Sequence, residues 1–161
     1  MQVTFNLRKF EPKDLNRVVY INQTCLPENY SYSFFMSLHE RFPETFIVAE
    51  KEGMIIGYIM CRIESGFSGF SLKTLGLAKK GHVISIAVLP EHRKKGVGQA
   101  LLKTALQAMS THYNVKSCYL EVRVSNENAI NMYKKVGFEI ERTIRGYYSD
   151  GENAYIMSRK L

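Results

Sequence analysis

The segment His82-Val83-Ile84-Ser85-Ile86-Ala87-Val88-Leu89 runs directly into Pro90-Glu91-His92-Arg93-Lys94-Lys95-Gly96-Val97-Gly98-Gln99-Ala100. Its first half is a nearly continuous apolar run, the pattern of a strand buried on both faces, and Pro90 ends it. Beyond its second half, Leu101, Leu102, Ala105, Leu106 and Met109 fall on one apolar face, which predicts a helix from Val97 to His112. A buried strand therefore passes through a basic, glycine-containing turn into a helix. A helix N-terminus presents unpaired N–H donors and a partial positive charge, and glycine lets a ligand come close to the backbone. The turn is thus suited to cradle a pyrophosphate. An ordinary βα turn with a solvated basic patch would have the same composition. The turn is not a Walker P-loop, because Gly98-Gln99-Ala100 lacks the Gly-Lys-Ser/Thr ending, and it contains no GxGxxG.

Working outward, Val3 to Phe10 alternates like a strand, and Pro12 to Thr24 places Leu15, Val18, Val19 and Ile21-Asn22 at helical spacing. Ser31 to Arg41 reads as a second helix. Phe46 to Glu50 and Ile55 to Ile63 read as an antiparallel pair turned by Lys51-Glu52-Gly53. Ser65 to Lys80, carrying Gly66, Gly69 and Gly76, reads as a mobile loop. After the central segment come a strand from Cys118 to Val124, a helix from Asn126 to Val136 stopped by Gly137, and strands Phe138 to Ile144 and Ala154 to Lys160. Strands come first and then alternate with helices, which predicts an α/β fold with a mixed sheet and helices on its faces.

The chain has 161 residues and 45% hydrophobic content, enough for one domain, 1–161, around one substantial core. No run approaches the roughly 18 apolar residues of a membrane span, and Met1 to Asp14 lacks a signal-peptide run. Cys25, Cys61 and Cys118 are odd in number and far apart, so they fit neither a disulfide framework nor a metal pattern. A cytoplasmic protein without membrane attachment or bound metal is expected. The formal charge of +7 would attract something anionic, but the basic residues are scattered without a long tail, which argues against nucleic acid as the primary partner.

A second constellation is Asn126-Glu127-Asn128-Ala129-Ile130-Asn131-Met132-Tyr133-Lys134-Lys135-Val136-Gly137-Phe138. Together with the first it resembles the GNAT superfamily of N-acetyltransferases. The superfamily's Arg/Gln-x-x-Gly-x-Gly/Ala pattern is met by Arg93, Gly96 and Gly98, and its N-x-x-A-x-x-x-Y-x-x-x-G-F pattern is met from Asn126 to Phe138 without a gap. The resemblance implies a central mixed sheet of about seven strands flanked by about four helices. It implies acetyl-CoA as cofactor, with Lys94, Lys95, Gly96, Val97, Gly98 and Gln99 holding the pyrophosphate beside Arg93. Ile86, Ala87 and Val88 would pair with the pantetheine, Asn128 would reach its arm, and Tyr133 would sit near the sulfur. A phenol there can protonate a departing thiolate. Read alone, Tyr133 could equally be a core residue with Ala129, Met132 and Val136.

The resemblance narrows to protein N-terminal α-amino acetyltransferases of the archaeal type, similar to the NatA catalytic subunit and more loosely to RimI. It is carried by Leu26-Pro27-Glu28-Asn29-Tyr30, Gly81 to Val88, Tyr119-Leu120-Glu121-Val122-Arg123 and Gly146 to Tyr155. It implies that Leu26, Glu28 and Tyr30 line one side of a peptide groove and Tyr147 and Tyr148 the other. The chemistry agrees with that substrate. An α-amino group has a pKa of about 8, against about 10.4 for a lysine, so a modest base suffices. His82 and Glu121 are the candidate bases, acting through a water, and Glu28 is a candidate for orienting the amine. Plain alternatives exist for each: a structural histidine at a strand start, the polar face of a half-buried strand, and ordinary turns at Pro27 to Tyr30 and around Tyr147-Tyr148. Other functions open at this point are acetylation of internal lysines or a small amine, and a noncatalytic acetyl-CoA sensor. Association with the ribosome or an auxiliary subunit is a further expectation.

Overall fold

A computed structural model describes residues 4–65 and 79–161. The elements are β1 (Asn6–Lys9), α1 (Leu15–Cys25), α2 (Tyr32–Arg41), β2 (Phe46–Lys51), β3 (Met54–Ser65), β4 (Lys79–Val88), α3 (Val97–Tyr113), β5 (Ser117–Arg123), α4 (Glu127–Lys135), β6 (Glu139–Ile144) and β7 (Ala154–Lys160). The strands form one seven-stranded sheet in the order β1-β2-β3-β4-β5-β7-β6. Only β4 and β5 are parallel; every other pair is antiparallel.

Alternation divides the side chains between two cores. Ile47 and Ala49 of β2 with Ile59 and Cys61 of β3 face α3, while Phe46 and Val48 with Tyr58 and Met60 face α1 and α2. The helices meet these faces with the residues the sequence periodicity marks: Leu101, Leu102, Ala105, Leu106 and Met109 of α3 are all buried. Met109 packs so closely on β4 that a Cβ at Gly81 would displace the end of its side chain.

The expected elements are present with shifted ends. Among the described residues the first strand runs Asn6–Lys9, and Val3 of the expected strand lies outside them. The expected helix from Pro12 opens as a 3-10 turn, Pro12–Asp14, where the Asp14 carboxylate accepts from the Glu11 N–H at 2.9 Å and from Arg8 at 2.8 Å. Of the loop expected from Ser65 to Lys80, residues 66–78 lie outside the described residues, and Ser65, Lys79 and Lys80 belong to strands. Among the described residues no helix is long and apolar enough to cross a membrane.

The feature that positions the site is a split in the sheet. Among the described residues β4 and β5 pair at three positions, Lys80↔Ser117, Gly81↔Cys118 and His82↔Tyr119. Beyond His82 the two strands part, β4 remaining on β3 to Val88 and β5 on β7 to Arg123. A wedge opens between them. The Leu89 N–H donates to the Ile56 carbonyl at 2.9 Å, so Ser85, Ala87 and Leu89 turn their backbone groups toward β3 while Ile84, Ile86 and Val88 turn theirs into the wedge.

Candidate active site

At the wide end of the wedge, β4 runs through a 3-10 turn, Pro90–His92, to the N-terminus of α3. Lys94 and Gly96 adopt left-handed conformations, with φ of 61° and 84°, which curls the backbone so that successive N–H groups face one concavity. The first bond into the helix runs from the Ala100 N–H to the Gly96 carbonyl at 3.0 Å. The N–H groups of Val97, Gly98 and Gln99 therefore have no partner within the helix. A Cβ on Gly96 would meet nothing within 4 Å, and one on Gly98 would make only ordinary contact with Met132 at 3.6 Å and Val88 at 3.8 Å. The space over this turn is open. Arg93, Lys94 and Lys95 are exposed around it, and Arg93 donates from Nε to the Val88 carbonyl at 2.8 Å. Open space, free N–H donors and three cations fit a diphosphate.

Two of the wedge-facing carbonyls of β4 are already occupied. Ile84 accepts from the Tyr30 hydroxyl at 3.3 Å, and Val88 accepts from Arg93 and from Cys25 Sγ at 3.6 Å. Ile86, between them, has no such side-chain partner among the described residues, so its N–H and carbonyl are the pair offered to an extended ligand. Ala87, by contrast, is buried on the α1–α2 side. On the opposite wall, Asn126 caps α4 by accepting from the Ala129 N–H at 3.3 Å, and Asn128 is exposed in its first turn. Tyr133 is buried in the larger core, 6.1 Å from Phe138 between ring centroids. Burial also pushes its phenol up, which keeps it a proton donor rather than a base.

The split begins at His82, and there the polar groups collect. His82 Nε2 lies 2.7 Å from Glu121 Oε1, and Nδ1 lies 2.9 Å from Glu64 Oε2. The imidazole stacks on Tyr119 at 4.1 Å between centroids and 17° between planes. Glu64 accepts in turn from the Tyr119 hydroxyl and from Arg62 Nε at 2.9 Å. His82 is 8% exposed, so its ring is fixed on every side by named partners. The two bases proposed from the sequence are thus in direct contact. Glu64, Arg62 and Tyr119 escape the sequence reading, although Arg62 and Glu64 stand two apart at the end of an apolar strand and so had to share one face.

The peptide-wall candidates also meet. Glu28 Oε1 accepts from Arg123 at 2.6 Å, and the same guanidinium binds Asp150 and Glu152 at 2.9 Å and lies 4.0 Å above the Tyr148 ring. Tyr147 stands edge-on to Tyr148 at 5.0 Å. Burial first, and then the charges of both Glu28 and Glu121, push the phenols of Tyr30 and Tyr147 up, which places both loops in the electrostatic reach of Glu121. Leu26 is half-buried beside the α1–α2 core. Behind this wall, fully buried Asn22 uses all its polar atoms: Nδ2 donates to the Glu28 carbonyl and the Tyr58 hydroxyl, each at 3.1 Å, and Oδ1 accepts from the Tyr30 N–H at 3.4 Å. Tyr58 continues the chain to Ser85 at 2.7 Å. Arg123 and Asn22 were not assigned roles from sequence, Asn22 because it falls on an otherwise apolar helix face.

With this geometry in place, the comparisons identify the class. The model of the Acetyltransferase (GNAT) family matches residues 15–138, and the chain belongs to that family. It is similar to the N-alpha-acetyltransferase of Sulfurisphaera tokodaii, 49% identical over 98% of this chain and 93% of the relative. Its fold is similar to that of Ard1 from Thermoplasma volcanium, with a TM-score of 0.82 and 36% identity, covering 99% of each chain. It is also similar to Chaetomium thermophilum Naa20 in complex with a bisubstrate analogue, with a TM-score of 0.84 and 32% identity, covering 97% of this chain and 86% of that one.

Proposed function

We propose that this chain transfers the acetyl group of acetyl-CoA to the α-amino group of protein N-termini, by direct attack of the amine in a ternary complex. The observation that carries the reading is the His82–Glu121 contact at the apex of the wedge, with the tyrosine-lined loops beside it. The names of the relatives support the substrate class.

When bound, the cofactor supplies an acetyl group activated as a thioester. The residues of the chain do the rest. The α3 N-terminus and the Arg93–Gln99 turn would hold the diphosphate, Ile86 would offer the strand edge with only the N–H of Val88 left beside it, and Asn128 would lie along the same wall. Glu121, backed by His82 and acting through water, takes the proton that the ammonium must lose before it attacks. As nitrogen replaces sulfur on the acetyl carbon, Tyr133 would give a proton to the departing sulfur and would be reprotonated by the second proton that the attacking nitrogen must lose. Leu26, Tyr30, Tyr147 and Tyr148 flank the entering chain. Glu28 orients the amine while remaining tied to Arg123, which makes it a directional acceptor rather than a free base.

Residues 1–161 act as one acetyltransferase domain in this reading, in the cytoplasm, and the +7 charge suits transient contact with a ribosome or an auxiliary subunit. The test follows thioester consumption with peptides that vary in their first two residues, each free or blocked at the N-terminus. Turnover with free peptides and none with blocked ones is expected. Equal turnover with both would sink the α-amine reading and leave the acetyltransferase class intact.

A further inference from the structure

We propose that Glu64 is a positioning residue for the base, selecting which nitrogen of His82 faces Glu121 and stabilising the proton-loaded form of the pair. The inference rests on the reading of His82 and Glu121 as the base given above.

A nitrogen and an oxygen 2.7 Å apart need a hydrogen between them, and so do two atoms 2.9 Å apart. One proton therefore lies at Nδ1 toward Glu64, and a second lies between Nε2 and Glu121. The first does not turn over. Glu64 is held as an acceptor by the Tyr119 hydroxyl and by Arg62, and hydrogen bonds from Tyr119 and His82 bring its carboxyl below its ordinary value despite the opposing effect of burial, which is the largest single influence. It is a carboxylate that accepts Nδ1–H and fixes the tautomer. Nε2 is then the nitrogen that gains and loses a proton, and its partner is Glu121.

The proton balance through one turnover follows. In the proton-free form Nε2 and Glu121 are both acceptors, separated by a water. The ammonium gives a proton through that water to the pair, and it comes to rest between Nε2 and Oε1, the state with the short contact. The amine attacks, the second proton it then loses replaces the one Tyr133 gives to the sulfur, and the loaded pair later releases its own proton to solvent. An imidazolium formed in this way lies between two carboxylates, Glu64 and Glu121. Removing the first would make loading less favourable, and the guanidinium of Arg62, 3.4 Å from Nδ1, would then repel it. The charged and titratable groups that bear on the ring are Arg62 and Glu64 from β3, Tyr119 and Glu121 from β5, and more distantly Lys80, which pairs with Glu64 across the strands. Tyr30 and Tyr147 bear on Glu121 from the loops.

The experiment is the pH dependence of kcat with a free N-terminal peptide for Glu64→Gln, Glu64→Asp, Tyr119→Phe and Glu121→Gln, with acetyl-CoA affinity measured beside it. Glu64→Gln should lower kcat by about 10- to 100-fold and move the acidic limb to lower pH by roughly half to one unit, since a weaker base loads later. Glu64→Asp should restore part of both. Tyr119→Phe keeps the ring stack but frees Glu64 of one donor, so it should move the limb the other way by a few tenths of a unit, and it keeps the test alive if Glu64→Gln does not fold. Acetyl-CoA affinity should stay within about twofold throughout. A Glu64→Gln profile lowered in height but unmoved in pH would make Glu64 merely structural and overturn the proposal while the base stands. Wild-type kcat in Glu121→Gln would remove the base itself and this proposal with it.

Discussion

Arg123 donates to Glu28 at 2.6 Å, joining the end of β5 to the loop after α1, ninety-five residues away in the chain. Because the same side chain also holds Asp150 and Glu152, the two loops flanking Glu121 share one cation. Their spacing depends on a residue that belongs to neither. Removing it with Arg123→Ala should therefore raise the peptide KM more than it lowers kcat, and leave acetyl-CoA affinity within about twofold. Steady-state kinetics against each substrate in turn would check this; a change confined to the acetyl-CoA KM would contradict it.

The turn before α3 makes a sharper demand. Gly98→Ala places its methyl at ordinary contact distance from Met132 and Val88, so the fold and cofactor binding should tolerate it. Gly98→Glu puts a carboxylate where the free N–H donors point, and acetyl-CoA binding should fall below detection in calorimetry. Unchanged affinity in a folded Gly98→Glu variant would remove the diphosphate site from this turn.

Tyr133→Phe deletes only a hydroxyl from a buried ring, so packing is kept and stability should change little. Turnover should fall by roughly 10²-fold, the lower end of the range for a general acid, because a thiolate is a fair leaving group. Cofactor affinity should hold. Turnover within twofold of wild type across the pH range would mean that Tyr133 acts only as the core residue its burial shows it to be.

Asn22 supports the groove from behind. Asn22→Asp is nearly isosteric but replaces the donor to the Glu28 carbonyl and Tyr58 by an acceptor, leaving oxygens facing oxygens in a fully buried site. The cost should be about 1–3 kcal/mol, read as a lower midpoint in urea, with a raised peptide KM. A fully stable variant with unchanged peptide KM would show that the Leu26–Tyr30 wall stands without this pin.

What could be read in the sequence follows the range of the interaction. The strand, turn and helix from His82 to Met109 were legible because burial imposes a period that a local window shows, and the left-handed Gly96 falls where a glycine marks it. The split between β4 and β5 was not, because parallel pairing leaves no local sign of where it ends. His82 and Glu121 were nameable through the resemblance, but their contact depends on a three-residue register between strands that are far apart in sequence. Glu64 and Arg62 were hidden for the same reason, since only the β3–β4 register brings Arg62 opposite His82. Asn22 was read as part of an apolar helix face because a buried, fully paired amide has the same spacing as a leucine. The 3-10 turn at Pro12–Asp14, pinned by the Arg8–Asp14 ion pair, stands where periodicity alone began a helix.

If the His82–Glu121 pair removes a proton from an α-amine and from no other, acetyl transfer must be confined to chain N-termini. The most direct measurement locates the acetyl group by mass spectrometry on a peptide carrying both a free N-terminus and an internal lysine, with wild type, His82→Asn, Glu121→Gln and the double variant. Acetylation of the N-terminal nitrogen alone is expected. Each single change should lower its rate by roughly 10²-fold or more, and the double change should cost less than the product, because both act on one proton transfer. Acetyl groups on the lysine at a comparable rate, or losses in the two single variants that simply multiply, would contradict it.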